Sequence, residues 1–220
     1  MEKKLKFTKE NTTAVKGIAV IFLILYHSFS AKDRMYGYPV DFWPLSEAAA
    51  MEICRVMVNC VGIFAFLSVY GLTLSMKAQY KEYEFTGHEA TLFVLKRYVK
   101  LVLSFALPFL FCTGVTYLTH TSRYRNGILV NLVNAGMDFL GLGHLFGVQM
   151  QINTWWYLSL EILLIFFMPF LVRVYKKYGW LMVFMFLILG SFMLEKHVHL
   201  TKYLFVAPLA VCFADQKVLE

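Results

Sequence analysis

Charge is scarce in this chain, and acidic charge most of all: 14 Asp and Glu against 21 Lys and Arg, with only 16% of 220 residues charged. A soluble domain carries about 25% charge and is roughly 45–50% apolar. This sequence is instead 59% hydrophobic and 17% aromatic, with a mean hydropathy of +0.60. The apolar residues are gathered into long runs, which excludes a single soluble core. Cysteine is sparse as well. Cys54, Cys60, Cys112 and Cys212 make no CxxC and no Cys/His cluster. They read as apolar packing residues, and neither a redox compartment nor a metal site follows from them. Repeats and low-complexity segments are absent. The net charge of +7 sits at the ends of the apolar runs, where membrane topology puts it, and so points away from nucleic acid.

What is present is a series of apolar segments, and the sequence reads as an all-α, polytopic transmembrane bundle of about six spans with its N-terminus in the cytoplasm. A basic N-terminus leads through Asn11, Thr12 and Thr13, which are possible helix caps, into a retained first span at about 14–30. Ser-Phe-Ser-Ala at its end is a poor cleavage site for a signal peptide. A polar connector, 31–47, contains interface-type aromatics such as Tyr36 and Trp43. The second span, about 50–76, carries Glu52 and Arg55, three apart and able to pair on one helix face. After a hydrophilic stretch, Lys96, Arg97 and Lys100 precede a third span at about 101–119. Residues 128–150 are moderately apolar but broken by glycines, and are expected to form a re-entrant or interfacial element, with a distorted extra helix as the alternative. Further spans fall at about 154–172, 180–194 and 203–214. With the N-terminus inside, 14 of the 21 Lys and Arg lie on the inner side, as the positive-inside rule requires.

Within this frame a few polar residues stand out. Lys16 and His27 bracket an apolar stretch and are eleven residues apart. At 100° per residue that is about 1100°, close to three full turns, so both lie on one helix face with roughly 16 Å of rise between them. Ionisable groups inside a membrane usually face a protein interior or a water-filled cavity. The expected inner rim is Lys16, Lys96, Arg97 and Lys100, and simple positive-inside anchoring already accounts for Lys96. The expected outer half holds His27 and Glu161, with Trp155 and Trp156 above Glu161. A carboxylate that deep is costly unless paired or neutral. His88, His120, His144, His197 and His199 lie in loops or broken segments and receive no role.

These residues resemble membrane acyltransferase family 3, the bacterial integral-membrane O-acetyltransferases. Lys16-Gly17 followed by His27 is similar to the family's first-helix signature, a basic residue, ten residues, then histidine. The run Gly62-Ile63-Phe64-Ala65-Phe66-Leu67-Ser68-Val69-Tyr70-Gly71 resembles its Phe-rich segment closing on Ser-Gly-Tyr/Phe. Arg97-Tyr98-Val99-Lys100 resembles its spaced basic pair, leading into a helix with Pro108. Trp156-Tyr157-Leu158-Ser159-Leu160-Glu161 resembles its Trp-Tyr/Phe-Leu-x-x-Glu element. Val69 stands where the family usually has Gly, and Lys16 and Lys100 stand where Arg is commoner. The family domain has more spans than this chain, so residues 1–220 correspond to the N-terminal portion of one such domain, truncated.

The resemblance implies an acyltransferase that moves an acetyl or other acyl group from acyl-CoA to a carbohydrate hydroxyl at the cell surface. It implies multi-pass residence in the bacterial cytoplasmic membrane. In that picture the expected site is His27 as general base with Lys16, Arg97 and Lys100 holding the donor phosphates; a role for Glu161 in orienting His27 and stabilising its imidazolium is inferred from its depth, not from the resemblance. Ser68, Tyr70, Gly71 and Trp156 are motif positions of structural character. No bound cofactor or metal is expected; acetyl-CoA is the donor substrate. The expected partners are acyl-CoA, a carbohydrate acceptor, the lipid bilayer and, for the oligomeric state, a second copy of the chain. Two other readings use the same residues: a transporter or channel in which His27 and Glu161 couple to protons, and an inactive truncated homologue. The charge distribution makes one direct prediction. A cysteine introduced at residue 177 should be labelled only after the membrane is permeabilised, and labelling in intact cells would overturn the six-span topology.

Overall fold

The computed structural model describes residues 8–194, 203 and 205–219, and only helices, turns and irregular segments occur among them. Lys3, Lys4 and Lys6, the loop from Glu195 to Lys202, and His197 and His199 within it lie outside the described residues. The chain divides into two compact units, Met1–Leu74 with Gly179–Glu220, and Ser75–Tyr178. Four stretches are long and apolar enough to cross a bilayer: Glu10–Phe29, Glu47–Gln79, Gly87–Leu118 and Asn153–Tyr178.

In the first unit, α1 (Lys9–Phe29) begins one turn before the expected caps. Thr8 is the N-cap, its side chain accepting from the Asn11 amide at 3.3 Å while Asn11 reaches back to the Thr8 amide. This reciprocal pairing satisfies donors that a helix start leaves open. α2 (Glu47–Val56) is capped by Ser46, which accepts from the Ala49 amide at 3.2 Å. A short 3-10 turn, Met57–Asn59, then joins α2 to α3 (Cys60–Gln79). The expected second span is therefore two helices in series, and the break coincides with Asn59, whose side chain donates to the Val56 carbonyl at 2.9 Å. α1 packs on α2 and on that turn. α7 (Leu181–Leu194) packs on α8 (Val206–Asp215). At 14 and 10 residues, these helices rise only about 21 and 15 Å, against a hydrocarbon core of roughly 30 Å.

In the second unit, α4 (Gly87–Leu118) starts fourteen residues before the expected third span. Thr86 and Glu89 form a capping box there, the Thr86 amide donating to Glu89 at 2.7 Å. Lys96, Arg97 and Lys100 are therefore interior to a 32-residue helix rather than ahead of one. α6 (Trp156–Tyr178) supplies the core of this unit through Leu160, Leu164, Met168, Leu171 and Val172. α4 packs on α5 and α6, with Phe105 and Phe109 against Trp155 at centroid distances of 5.1 and 5.5 Å.

The glycine-broken region resolves into α5 (Ile128–Phe139) and a turn. Twelve residues rise only about 18 Å, too short to cross. Its polarity is inverted relative to a soluble helix. Ile128, Leu129, Leu132 and Val133 are exposed, whereas Asn134 and Asp138 are buried. Polar groups inside and apolar groups outside suit lipid rather than water. The turn is fixed by two glycines. Gly141 has φ +70, and a methyl on it would meet Ile162 at 2.6 Å and Leu158 at 2.7 Å. A methyl on Gly143 would come within 2.3 Å of Asp138 Oδ1.

Asp138 ties the region together. Its Oδ2 accepts from the Tyr124 hydroxyl and from the Gln151 amide, each at 2.7 Å, while Gln151 Oε1 accepts from the Arg123 amide at 3.1 Å. Its Oδ1 is buried with no hydrogen-bond partner among the described residues. Burial pushes the Asp138 carboxyl above the ordinary carboxylate range, although the two donated bonds pull the other way. The Tyr124 hydroxyl is pushed up too, first by burial and then by Asp138. A raised carboxyl binds its proton more tightly in the folded state than in the unfolded one. Its contribution is therefore present at low pH and lost as pH rises through the folded value. Asp138→Asn keeps the acceptor oxygen and cannot ionise. Thermal unfolding in detergent should show the wild-type protein losing stability relative to this variant as pH rises above about 4. Parallel curves for the two proteins would show that Asp138 does not titrate differently on folding.

Candidate active site

The stripe read from the sequence is intact. α1 runs without interruption through both Lys16 and His27, so the two side chains share a face about three turns apart. Both are exposed. Beside Lys16, Val15 joins Asn59, Gly62, Ile63, Phe66, Leu67, Val206 and Leu219 in lining a groove of about 450 Å³. Its walls are apolar apart from Asn59.

At the other end of α1, the chain turns back through a 3-10 segment, Lys32–Met35. That turn brings in a residue that sequence reasoning missed. Arg34 Nη1 donates to the Tyr26 carbonyl at 3.0 Å and lies 3.5 Å from His27 Nδ1. Its guanidinium carbon sits 4.6 Å from the centre of the Tyr26 ring. The surrounding cations are compensated: Lys32 pairs with Glu47 at 3.1 Å, and Arg55 pairs with Glu52 as the three-residue spacing led us to expect. Arg55 also donates to the Ser30 carbonyl at 3.1 Å. Arg34 has no carboxylate partner among the described residues. Because Arg can only donate, Nδ1 of His27 is the acceptor in this contact, which puts the ring hydrogen on Nε2.

The basic residues of α4 separate by role. Lys96 and Lys100, four apart on one face, line an open groove of about 610 Å³ with Leu95, Val99, Leu103 and Ser104. Arg97 is half-buried instead. It donates to the Ser75 hydroxyl and stacks over the Phe93 ring at 5.3 Å. Two cations four residues apart offer point charges to an anion, whereas Arg97 already has a fixed partner. Glu161 is buried and accepts a hydrogen bond from the Tyr157 hydroxyl one turn earlier. Neighbouring Ser159 donates to the Gly141 carbonyl at 2.6 Å, which fastens this turn of α6 to the glycine turn.

The motif positions are dispersed. On α3, Ser68 is half-buried, Tyr70 is buried with its ring stacked on Phe66 at 6.1 Å, and Gly71 is exposed. Val69, at the position where glycine was expected, is fully buried. Trp156 opens α6, with its ring 6.4 Å from His144, a histidine that received no role from the sequence.

Long apolar helices with ionisable residues at defined depths define an α-helical integral-membrane protein. Within that class the chain belongs to the acyltransferase family whose model, described as an acyltransferase domain, matches residues 12–195. The match spans Lys16, His27, Arg34, Arg97, Lys100 and Glu161, and the kind of function is that of a membrane acyltransferase. Comparison with curated proteins and with solved structures gives no match.

The unequal environments of Arg97 and Lys100 separate folding from function. Arg97→Ala removes a hydrogen bond and a stacked cation, so it should lower the melting temperature in detergent, and Ser75→Ala should reproduce part of that loss. Lys100→Ala should melt as wild type does. Equal melting temperatures for Arg97→Ala and wild type would show that the Ser75 contact contributes nothing to stability.

Proposed function

We propose that this protein transfers an acetyl group from acetyl-CoA to a hydroxyl of a cell-envelope carbohydrate, in the bacterial cytoplasmic membrane, with His27 as general base. The observation that carries this reading is the stripe on α1, where one continuous apolar helix holds a cation and an imidazole on the same face in a chain of the acyltransferase family. The rise of roughly 16 Å between them is comparable to the reach of a pantetheine arm. The apolar groove that Val15 lines, one residue from Lys16, gives that arm a wall to lie against. Lys16 then meets the donor phosphates as a point charge. Lys100, with Lys96 on the same exposed face, is a second place where donor phosphates are held. Arg97 supports that face through Ser75.

In this reading His27 takes the proton of the acceptor hydroxyl as its oxygen attacks the thioester carbonyl, and returns it to the departing CoA thiolate. Near neutral pH an imidazole suits both steps, because it is a competent base and its cation a competent acid. Glu161 is held by the hydroxyl of Tyr157 within its own unit.

Radiolabelled acetyl-CoA supplied to membranes from cells with and without the gene tests the reaction, with label expected in the glycan fraction only when the gene is present. The purified chain tests the residue. His27→Gln keeps hydrogen bonding and size but not basicity. It should lose on the order of 10²–10⁴ in rate, the usual worth of a positioned acid–base group, while its melting temperature and acetyl-CoA affinity stay near wild type. Near-normal transfer by His27→Gln would remove His27 from the chemistry.

A further inference from the structure

The charge of Arg34 is held in place but not balanced. Nη1 donates to the Tyr26 carbonyl at 3.0 Å, and the guanidinium carbon lies 4.6 Å from the centre of the Tyr26 ring. The contact of Nη1 with His27 Nδ1, at 3.5 Å, is at the outer limit of a hydrogen bond. Nε and Nη2 form the opposite edge of the group, and neither has a hydrogen bond among the described residues. The acidic groups of this end of the unit are engaged elsewhere. Glu47 pairs with Lys32, Glu52 pairs with Arg55, and Asp41 accepts from the Trp43 amide at 2.9 Å. Arg34 is only half-buried. The same connector exposes Tyr36, Tyr38 and Trp43, rings that offer an apolar face and a polar tip to a sugar.

We infer that the acceptor carbohydrate carries an oxyanion, a carboxylate or a phosphate, and that Arg34 binds it through Nε and Nη2. The inference rests on His27 being the base and a carbohydrate hydroxyl the acceptor. The Nε and Nη2 edge presents two parallel N–H groups, which two oxygens of one carboxylate or phosphate can accept together. Binding there also bears on the base. In the free protein Nη1 covers the Nδ1 lone pair, so an acceptor hydroxyl cannot reach it. An anion on the far edge draws the guanidinium away from His27. That shift gives up a contact at the limiting distance and gains a charge-assisted pair. Nδ1 is then open to a hydroxyl of the same sugar. A neutral sugar offers no such exchange, so the site selects acidic glycans over neutral ones.

The test uses the full chain in nanodiscs, with radiolabelled acetyl-CoA as donor and the membrane glycan fraction, split by anion exchange into neutral and acidic pools, as acceptor. Part of the acidic pool is carboxyl-reduced with carbodiimide and borohydride, and part is stripped of phosphate with hydrofluoric acid. The wild-type protein should label the acidic pool. One of the two treatments should lower kcat/KM on the order of 10- to 100-fold, the worth of a hydrogen-bonded charge, and the effective treatment tells carboxylate from phosphate. Arg34→Gln keeps an amide donor for the Tyr26 carbonyl but loses the charge. It should use treated and untreated acceptors alike, at the lower rate, with KM for acetyl-CoA near wild type, and Arg34→Lys should keep part of the preference. Each comparison of acceptors is made within one protein, so a lowered melting temperature does not affect it. Equal use of treated and untreated acceptors by wild type, or a preference that persists in Arg34→Gln, overturns the inference. Wild-type label in the neutral pool alone, lost in His27→Gln, refutes only the anionic acceptor. Full label by His27→Gln, or none by wild type, refutes the underlying reaction and this inference together.

Discussion

Every polar group placed in an apolar medium needs a partner, and that constraint organises this molecule. It explains why the termini of α1 and α4 are closed by reciprocal side-chain caps at Thr8 and Thr86. It explains why α5 turns Asn134 and Asp138 inward and leaves Ile128, Leu129, Leu132 and Val133 outside. At the end of α1 the guanidinium of Arg34 is held by the Tyr26 carbonyl and ring beside His27.

The expectation of six spans and the course of the structure agree best where hydropathy alone decides. Spans at about 14–30 and 154–172 correspond to helices Lys9–Phe29 and Trp156–Tyr178. Disagreement concentrates at helix starts, because a hydropathy window marks where the apolar run begins whereas a helix begins at its cap. α4 therefore opens at Gly87, with three basic residues in its interior. For the glycine-broken segment the sequence left a re-entrant element and a distorted extra helix open, and the structure makes it a twelve-residue helix and a turn. Its clasp was not legible. Asp138 meets Tyr124 and Gln151 across separations of 14 and 13 residues, and no local pattern encodes such pairings.

The site was legible in the same uneven way. Lys16 and His27 follow from helical periodicity and one continuous helix. Arg34 was out of reach, because only the 3-10 turn after α1 folds it back over the helix end. Its one sequence signal is a lone arginine in the short connector after a span that ends on histidine. Arg97 and Lys100, three residues apart, looked alike in sequence, and packing separates them. The guanidinium finds Ser75 and Phe93, while the ammonium stays at an open groove.

The central claim is that α1 joins the two ends of the donor, with the phosphates at Lys16 and the acyl group at His27. An electron cryomicroscopy structure of the full chain in nanodiscs, with a non-hydrolysable thioether analogue of acetyl-CoA, tests it directly. The account predicts diphosphate density at Lys16, the pantetheine arm along the groove lined by Val15, Asn59 and Phe66, and the acyl carbon beside His27. Diphosphate density at Lys96 and Lys100 with no ligand along α1 would contradict it.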